Sequence, residues 1–131
     1  MELLRMKLGE EGDIIIARIR AGDIAKNLGF NYMDKTRIAT AVSEIARNAI
    51  QHGGGGEMVV NKLDASRGIE IQVSDRGPGI PDINRALAGG YATGAGLGLG
   101  LSGSKKLMDE FEIISEAGKG TKVIMRKLLK R

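Results

Sequence analysis

Glu44 and Asn48 stand four residues apart in the stretch SEIARNAIQH, so a helix through it carries both on one face, beside the apolar stripe and not within it. A carboxylate so placed can take the proton of an attacking hydroxyl. A neutral amide oxygen suits magnesium, which binds oxygen and keeps several waters. Further on, SDRGPGIPD sets Asp75 at the end of an alternating segment, with Gly77 and Gly79 letting the chain turn tightly against something flat. An aspartate there can accept from an exocyclic amine. Downstream, GGYATGAGLGLGLSGSKKLMDEF has glycine at 89, 90, 94, 96, 98, 100 and 103 before a helical pattern begins. Bare backbone that meets a helix is phosphate-binding material, because amide groups converge there. The familiar glycine motifs are absent: no GK[ST] follows, and Gly98, Gly100 and Gly103 fit GxGxxG without a strand immediately before them.

The elements that must hold these residues can be read from apolar periodicity. Residues 3–8 alternate as a short strand, and GEEGD breaks it. Asp13 is placed to cap a helix to Leu28, with Ile14, Ala17, Ala21, Ile24, Ala25 and Leu28 on one face and Gly29 as its stop. A second helix begins near Asp34, and Ile38, Ala41, Val42, Ile45 and Ala49 carry the 3.6-residue period to Ile50, before a run of four glycines. Residues 57–63 and 68–75 read as an antiparallel pair joined by DASR. After the glycine-rich stretch, Leu97, Leu101, Ser104, Met108 and Phe111 share a helical face. Strands over 111–115 and 121–128 then flank the turn EAGKG. The expected fold class is α+β, a two-layer α/β sandwich with a mostly antiparallel mixed sheet and the helices on one face.

Length and composition limit what such a fold can be. The chain has 131 residues, 42% hydrophobic and 27% charged, enough for one ordinary core, and is expected to be a single domain over 1–131. With no cysteine there is no disulfide framework or thiolate metal site, so any metal is expected to sit on oxygen. No cleavable signal pattern and no run of roughly 20 apolar residues is present, so a cytoplasmic protein without a membrane partner is expected. The net charge of +4 lies largely in the tail MRKLLKR, and Phe30, Tyr32, Tyr91 and Phe111 are the only aromatic residues. That is poor equipment for single-stranded nucleic acid, and none is expected as a partner.

The four segments SEIARNAIQH, DRGPGI, GLGLGLSGSKKL and GKGT, in this order over nearly the whole chain, resemble the nucleotide-binding boxes of the GHKL ATPase and kinase superfamily, whose fold is the Bergerat ATP-binding sandwich. The resemblance implies an ATP and Mg²⁺ site. Asn48 would be the metal ligand and Glu44 the general base. Asp75 would recognise the adenine amino group, Gly77 and Gly79 would shape its wall, and Thr121 would make a second adenine contact. Gly94, Gly96, Gly98 and Gly100 would form a lid over the triphosphate. His52, the only histidine, sits inside the first box and is expected to be a structural or wall residue.

At this size the gyrase, MutL and Hsp90 branches, which carry large additional domains, are not expected, nor is a sensor histidine kinase, since this sequence lacks the phosphoacceptor-histidine helical pair. The wording RIATAVSEIARN, DRGPGIPDI, GLGLGLSGSKKLMDEFEI and GKGT is similar to the RsbT-type switch kinases, relatives of the RsbW and SpoIIAB anti-sigma factors. That likeness implies a serine/threonine kinase that phosphorylates a STAS-domain antagonist (RsbS-like), within a stressosome or outside it. Once released, it would activate a PP2C-type phosphatase (RsbU-like); a homodimer is compatible with this reading but not required by it. The alternatives are an anti-sigma factor with serine kinase activity and a regulatory module that holds ATP without transferring phosphate. One departure from the anti-sigma kinases is that only Arg85 lies between Asn84 and Lys105, outside the glycine core, so the lid carries no arginine. Lys105 and Lys106 are the nearest cations that follow it.

Overall fold

The computed structural model describes residues 1–79 and 101–130. Five strands form one sheet: β1 (Glu2–Leu8), β2 (Gly56–Lys62), β3 (Gly68–Asp75), β4 (Glu110–Glu116) and β5 (Gly120–Leu128), in the order β1-β2-β3-β5-β4. Every pairing among them is antiparallel, so the expectation of a mixed sheet gives way to a uniform one among the described residues. The helices are α1 (Gly12–Leu28), α2 (Tyr32–Gln51) and α3 (Leu101–Leu107), and the 3₁₀ turn Asp64–Ser66 joins β2 to β3. No described helix is long and apolar enough to cross a membrane.

Strand parity builds the core. On β3, Ile69, Ile71 and Val73 are buried while Glu70, Gln72 and Ser74 are only half-buried on the opposite face, as a period of two requires. The register then aligns whole rows across the sheet: Met6, Met58, Val73, Val123 and Ile113 form one, and Leu4, Val60, Ile71, Met125 and Phe111 the next. On the outer face the adjoining rows are polar. There Glu70 accepts from Asn61, Gln72 and Arg126, and Arg126 also reaches Glu110, so charges that face one another across the strands are of opposite sign. These contacts outweigh desolvation and hold the Glu70 carboxyl below its ordinary range.

Helices α1 and α2 cover the inward rows. Ala17, Ala21, Gly22 and Ala25 on α1 keep that face small, so the helices approach closely; a Cβ on Gly22 would lie 3.3 Å from the Lys35 side chain. α2 presents Ile38, Ala41, Val42, Ile45, Ala46 and Ala49 to the sheet, the stripe expected from the sequence. Its N-cap is Asn31, whose side chain accepts from the Asp34 amide at 2.8 Å, which starts the helix two residues before Asp34. Gly29, at φ 104°, ends α1 as expected. Asp13 lies inside α1 instead of at its cap, accepting from the amides of Gly9 and Glu10 and tying the strand–helix turn to the first helical turn. These two bonds hold its carboxyl below the usual value.

One expectation needs correction at α3. The helix ends at Leu107, so Phe111 belongs to β4, where pairing with Met125 wins over helical periodicity. Leu97 lies outside the described residues.

The inward rows make a clear stability forecast. Ile71 is fully buried at the centre of the sheet, and Ile71→Ala should cost about 2–5 kcal/mol in chemical denaturation, through lost transfer energy and a residual cavity. Ile114, on the outer face and half exposed, should lose at most about 0.5 kcal/mol on the same truncation.

Candidate nucleotide site

The site begins with parity. Residues 69, 71 and 73 point to the helix layer, so the next inward position on β3 is Asp75, and the fold carries a carboxylate into the space beneath α2. Its register partner on β5 is Thr121, whose partner on β4 is Ser115. The row thus turns from apolar to polar at this end of the sheet. Asp75 Oδ1 accepts from the Gly77 amide at 2.9 Å and the Thr121 amide at 3.3 Å. Thr121 Oγ1 and Ser115 Oγ are 2.9 Å apart, and Ser115 Oγ donates to the Gly120 carbonyl. Burial pushes the Asp75 carboxyl above its ordinary range, and the two amides offset only part of that.

A cavity of about 220 Å³ opens over this row. Ile45, Val73, Leu101 and Val123 supply apolar walls, Asn48 and His52 come from α2, and Asp75 and Thr121 form its polar floor. Narrow, largely apolar walls with one carboxylate held by backbone amides suit a flat heterocycle bearing an amine donor.

Glycines set the back wall. Gly77 lies so near the end of α2 that a Cβ there would come within 2.5 Å of Gly53 Cα, and a Cβ on Gly53 would come within 2.3 Å of Asp75 Cγ. Gly79 has φ 81° and faces the Glu116 carbonyl, while Gly118 donates to the Pro78 carbonyl at 3.0 Å. The turn after β3 is thus clamped between the end of α2 and the β4–β5 hairpin.

Of the sequence-predicted residues, Asn48, Asp75, Gly79 and Thr121 line the cavity, and Gly77 stands directly behind Asp75. Glu44 lies one helical turn before Asn48, outside the lining, with Oε1 accepting from Arg47 Nη1 at 3.0 Å. Gly94, Gly96, Gly98 and Gly100 lie outside the described residues. Sequence reasoning missed Gly53, Ser115 and the apolar walls. Ser115 has no local signal, because only the hairpin register places it beside Thr121. Among the described residues no three His, Asp or Glu side chains cluster as a metal site. Asn48 offers a single amide oxygen at the cavity wall, a donor set that fits a hard cation taking its other ligands from phosphate and water.

A desolvated carboxylate that serves a ligand costs the empty fold something. Because its proton affinity is raised in the folded state, Asp75 weakens folding as pH rises through the carboxylate range, and this penalty vanishes at acid pH where both states are protonated. Asp75→Asn should therefore leave thermal stability equal or higher near pH 7, with the gap closing on acidification. If Asp75 is the adenine contact that the resemblance implies, the same change would set a donor against the adenine amine and lower ATP affinity about tenfold or more. Calorimetric titration with ATP alongside melting curves tests both halves.

Comparison with known proteins agrees with this geometry. Residues 33–131 match the family of histidine kinase-, DNA gyrase B- and HSP90-like ATPases. Over 120 residues the chain is 42% identical to the serine/threonine-protein kinase RsbT of Bacillus subtilis, covering 90% of each protein. It is 34% identical to an anti-sigma F factor of Clostridium acetobutylicum, over 85% of this chain and 82% of that one. The serine-protein kinase RsbW of Bacillus pumilus is 33% identical, over 100% of this chain and 88% of that one. The crystal structure of the RsbU and RsbW domains of a Mycobacterium tuberculosis protein superposes with a TM-score of 0.68 at 22% identity, over 95% of this chain and 31% of that longer one, a likeness of fold. Similarity at this level, over nearly the whole length of a curated relative, makes the chain a member of the histidine kinase-, DNA gyrase B- and HSP90-like ATPase family and, within it, of the RsbT-type serine/threonine-protein kinases.

Proposed function

We propose that the chain transfers the γ-phosphoryl group of ATP to a serine of a STAS-domain partner and, once released from it, binds and activates a PP2C-type phosphatase. The observation that carries the ATP half is Asp75, an amide-held carboxylate at the floor of an apolar cavity with Asn48 on its wall. In this reading Asp75 Oδ2 accepts from the adenine amine, Thr121 adds a second polar contact, and the apolar walls exclude water from the ring. Asn48 would hold Mg²⁺ through its amide oxygen. The metal would supply positive charge to offset that of the phosphates.

The transfer step falls to Glu44. As the serine hydroxyl oxygen bonds to the γ-phosphorus, the bond from that phosphorus to the β–γ bridging oxygen breaks, ADP leaves, and the hydroxyl proton passes to the Glu44 carboxylate. The ion pair with Arg47 keeps that carboxylate on one side of α2, one turn from Asn48. Glu44 is about a third exposed, which suits a group that must meet a protein substrate and not a nucleotide. Gly94, Gly96, Gly98 and Gly100 are assigned to the triphosphate by family resemblance. Because several relatives are anti-sigma F factors, the competing reading is a kinase that sequesters a sigma factor. Affinity capture against STAS proteins and sigma factors side by side distinguishes the two.

Binding and rate should separate between two neighbours on one helix. Asn48→Asp should weaken Mg²⁺-ATP binding, whereas Glu44→Gln should keep nucleotide affinity and slow transfer by about 10² to 10⁴. Labelled ATP with Mg²⁺ and a genomically neighbouring STAS protein provides the assay, with label expected on serine. Equal loss of nucleotide binding in both variants refutes the division of roles.

The partner half yields its own forecast. A substrate serine brought to Glu44 lies beside the phosphates, so STAS affinity should differ between ADP and a non-hydrolysable ATP analogue. Phosphorylation should weaken it further, because about two negative charges then face Glu44 and the ADP phosphates. Equal affinity in all three states refutes the switch and favours the anti-sigma reading.

A further inference from the structure

We infer that Lys127, at the opposite end of β5 from Thr121, is a positioning residue for the nucleotide cavity, acting through helix α3. Parity again places it: residues 121, 123, 125 and 127 all point into the helix layer, so the inward row of β5 ends in an ammonium only 5% exposed. A buried ammonium needs partners, and here they come from two other elements. Nζ donates to the Leu107 carbonyl at 2.8 Å, and Asp109 Oδ1 and Asp34 Oδ1 lie at 3.7 and 3.8 Å. Asp34 is shared with Arg37, and Asp109 Oδ2 accepts from the Leu128 amide at 2.7 Å.

What this contact fastens is α3. Helices in folded proteins take most of their stability from tertiary contacts, and the described part of this one runs from Leu101 to Leu107. Its last carbonyls have no helical partner, and Lys127 supplies one of them with a charged donor at the negative end of the helix dipole. At the other end of the same helix Leu101, 3% exposed, forms part of the cavity wall. Between the two, Ser104 is buried with no hydrogen-bond partner for its hydroxyl among the described residues. Lys127 thus anchors one end of a short lever whose other end touches the candidate adenine site, and through Asp34 it ties that lever to the start of α2, the helix carrying Glu44 and Asn48.

This role rests on the nucleotide reading of the cavity. Lys127→Met alone strands Asp109 beside Asp34 and can fail to fold. The working variant is therefore Lys127→Met with Asp109→Asn, which keeps an acceptor for the Leu128 amide and leaves Asp34 paired with Arg37. A Val60→Ala chain, truncated in the core away from the cavity, serves as the control for lost stability alone. Isothermal titration with ATP and ADP should show affinity falling about tenfold in the double variant, the effect of one displaced apolar wall residue, and staying within about twofold in the control. KM for ATP should rise with kcat at saturation retained, and amide exchange should quicken over residues 101–107 while remaining unchanged in α1. Nucleotide affinity within about twofold of wild type in the folded double variant, or an equal loss in the control, overturns the role of Lys127. A wild-type chain that binds no adenine nucleotide overturns the cavity reading itself, and the two failures are told apart by that first titration.

Discussion

The two-residue period of β3 and β5 is the constraint on which the rest depends. A strand that buries residues 69, 71 and 73 must also turn residue 75 inward, and a strand that buries 123 and 125 must turn in both 121 and 127. The same rule that makes the core therefore brings a carboxylate and a hydroxyl to one end of the sheet and an ammonium to the other. Neither polar end is tolerable without partners. At Asp75 they are backbone amides that leave capacity for a ligand; at Lys127 they are a helix-end carbonyl and two carboxylates that largely satisfy it. In the proposed reading one end is a recognition surface and the other an anchor.

Helix α2 has two duties that compete for its surface. Ile38, Ala41, Val42, Ile45, Ala46 and Ala49 bind it to the core, while Glu44, Asn48 and His52 occupy an adjoining stripe. Because the apolar stripe fixes the helix's rotation about its axis, it also sets the direction of the polar stripe, in which Glu44 is further held by its pair with Arg47. The residues proposed for recognition thus stand beside the buried core, whereas the proposed base is partly exposed where a protein substrate can reach it.

The glycines around the site are an expression of closeness more than of flexibility. Gly53, Gly77 and Gly79 occupy places where a Cβ would strike Asp75, the α2 terminus or the Glu116 carbonyl. Only with these side chains absent can the end of α2, the turn after β3 and the β4–β5 hairpin meet around one carboxylate. The family membership is consistent with this: relatives of quite different partner specificity share the nucleotide fold. What differs among them must lie on surfaces the cavity does not use.

Much of this was legible from local patterns. Apolar periodicity located α1, α2 and the strands to within a few residues, and four motifs in order pointed to Glu44, Asn48, Asp75, Gly77, Gly79 and Thr121, because helix faces and turn chemistry are properties of neighbouring residues. The sequence by itself also settled the family, the absence of thiolate chemistry and the alternation that turns Asp75 inward. Tertiary structure alone decided which side chains meet across long separations. Ser115 reaches Thr121 through hairpin register, Phe111 leaves the helix for a strand because Met125 lies opposite, and Lys127 is an inward lysine that sequence places at an ordinary basic tail. Such contacts depend on the alignment of strands and helices distant in the chain, and no window of neighbouring residues contains that alignment.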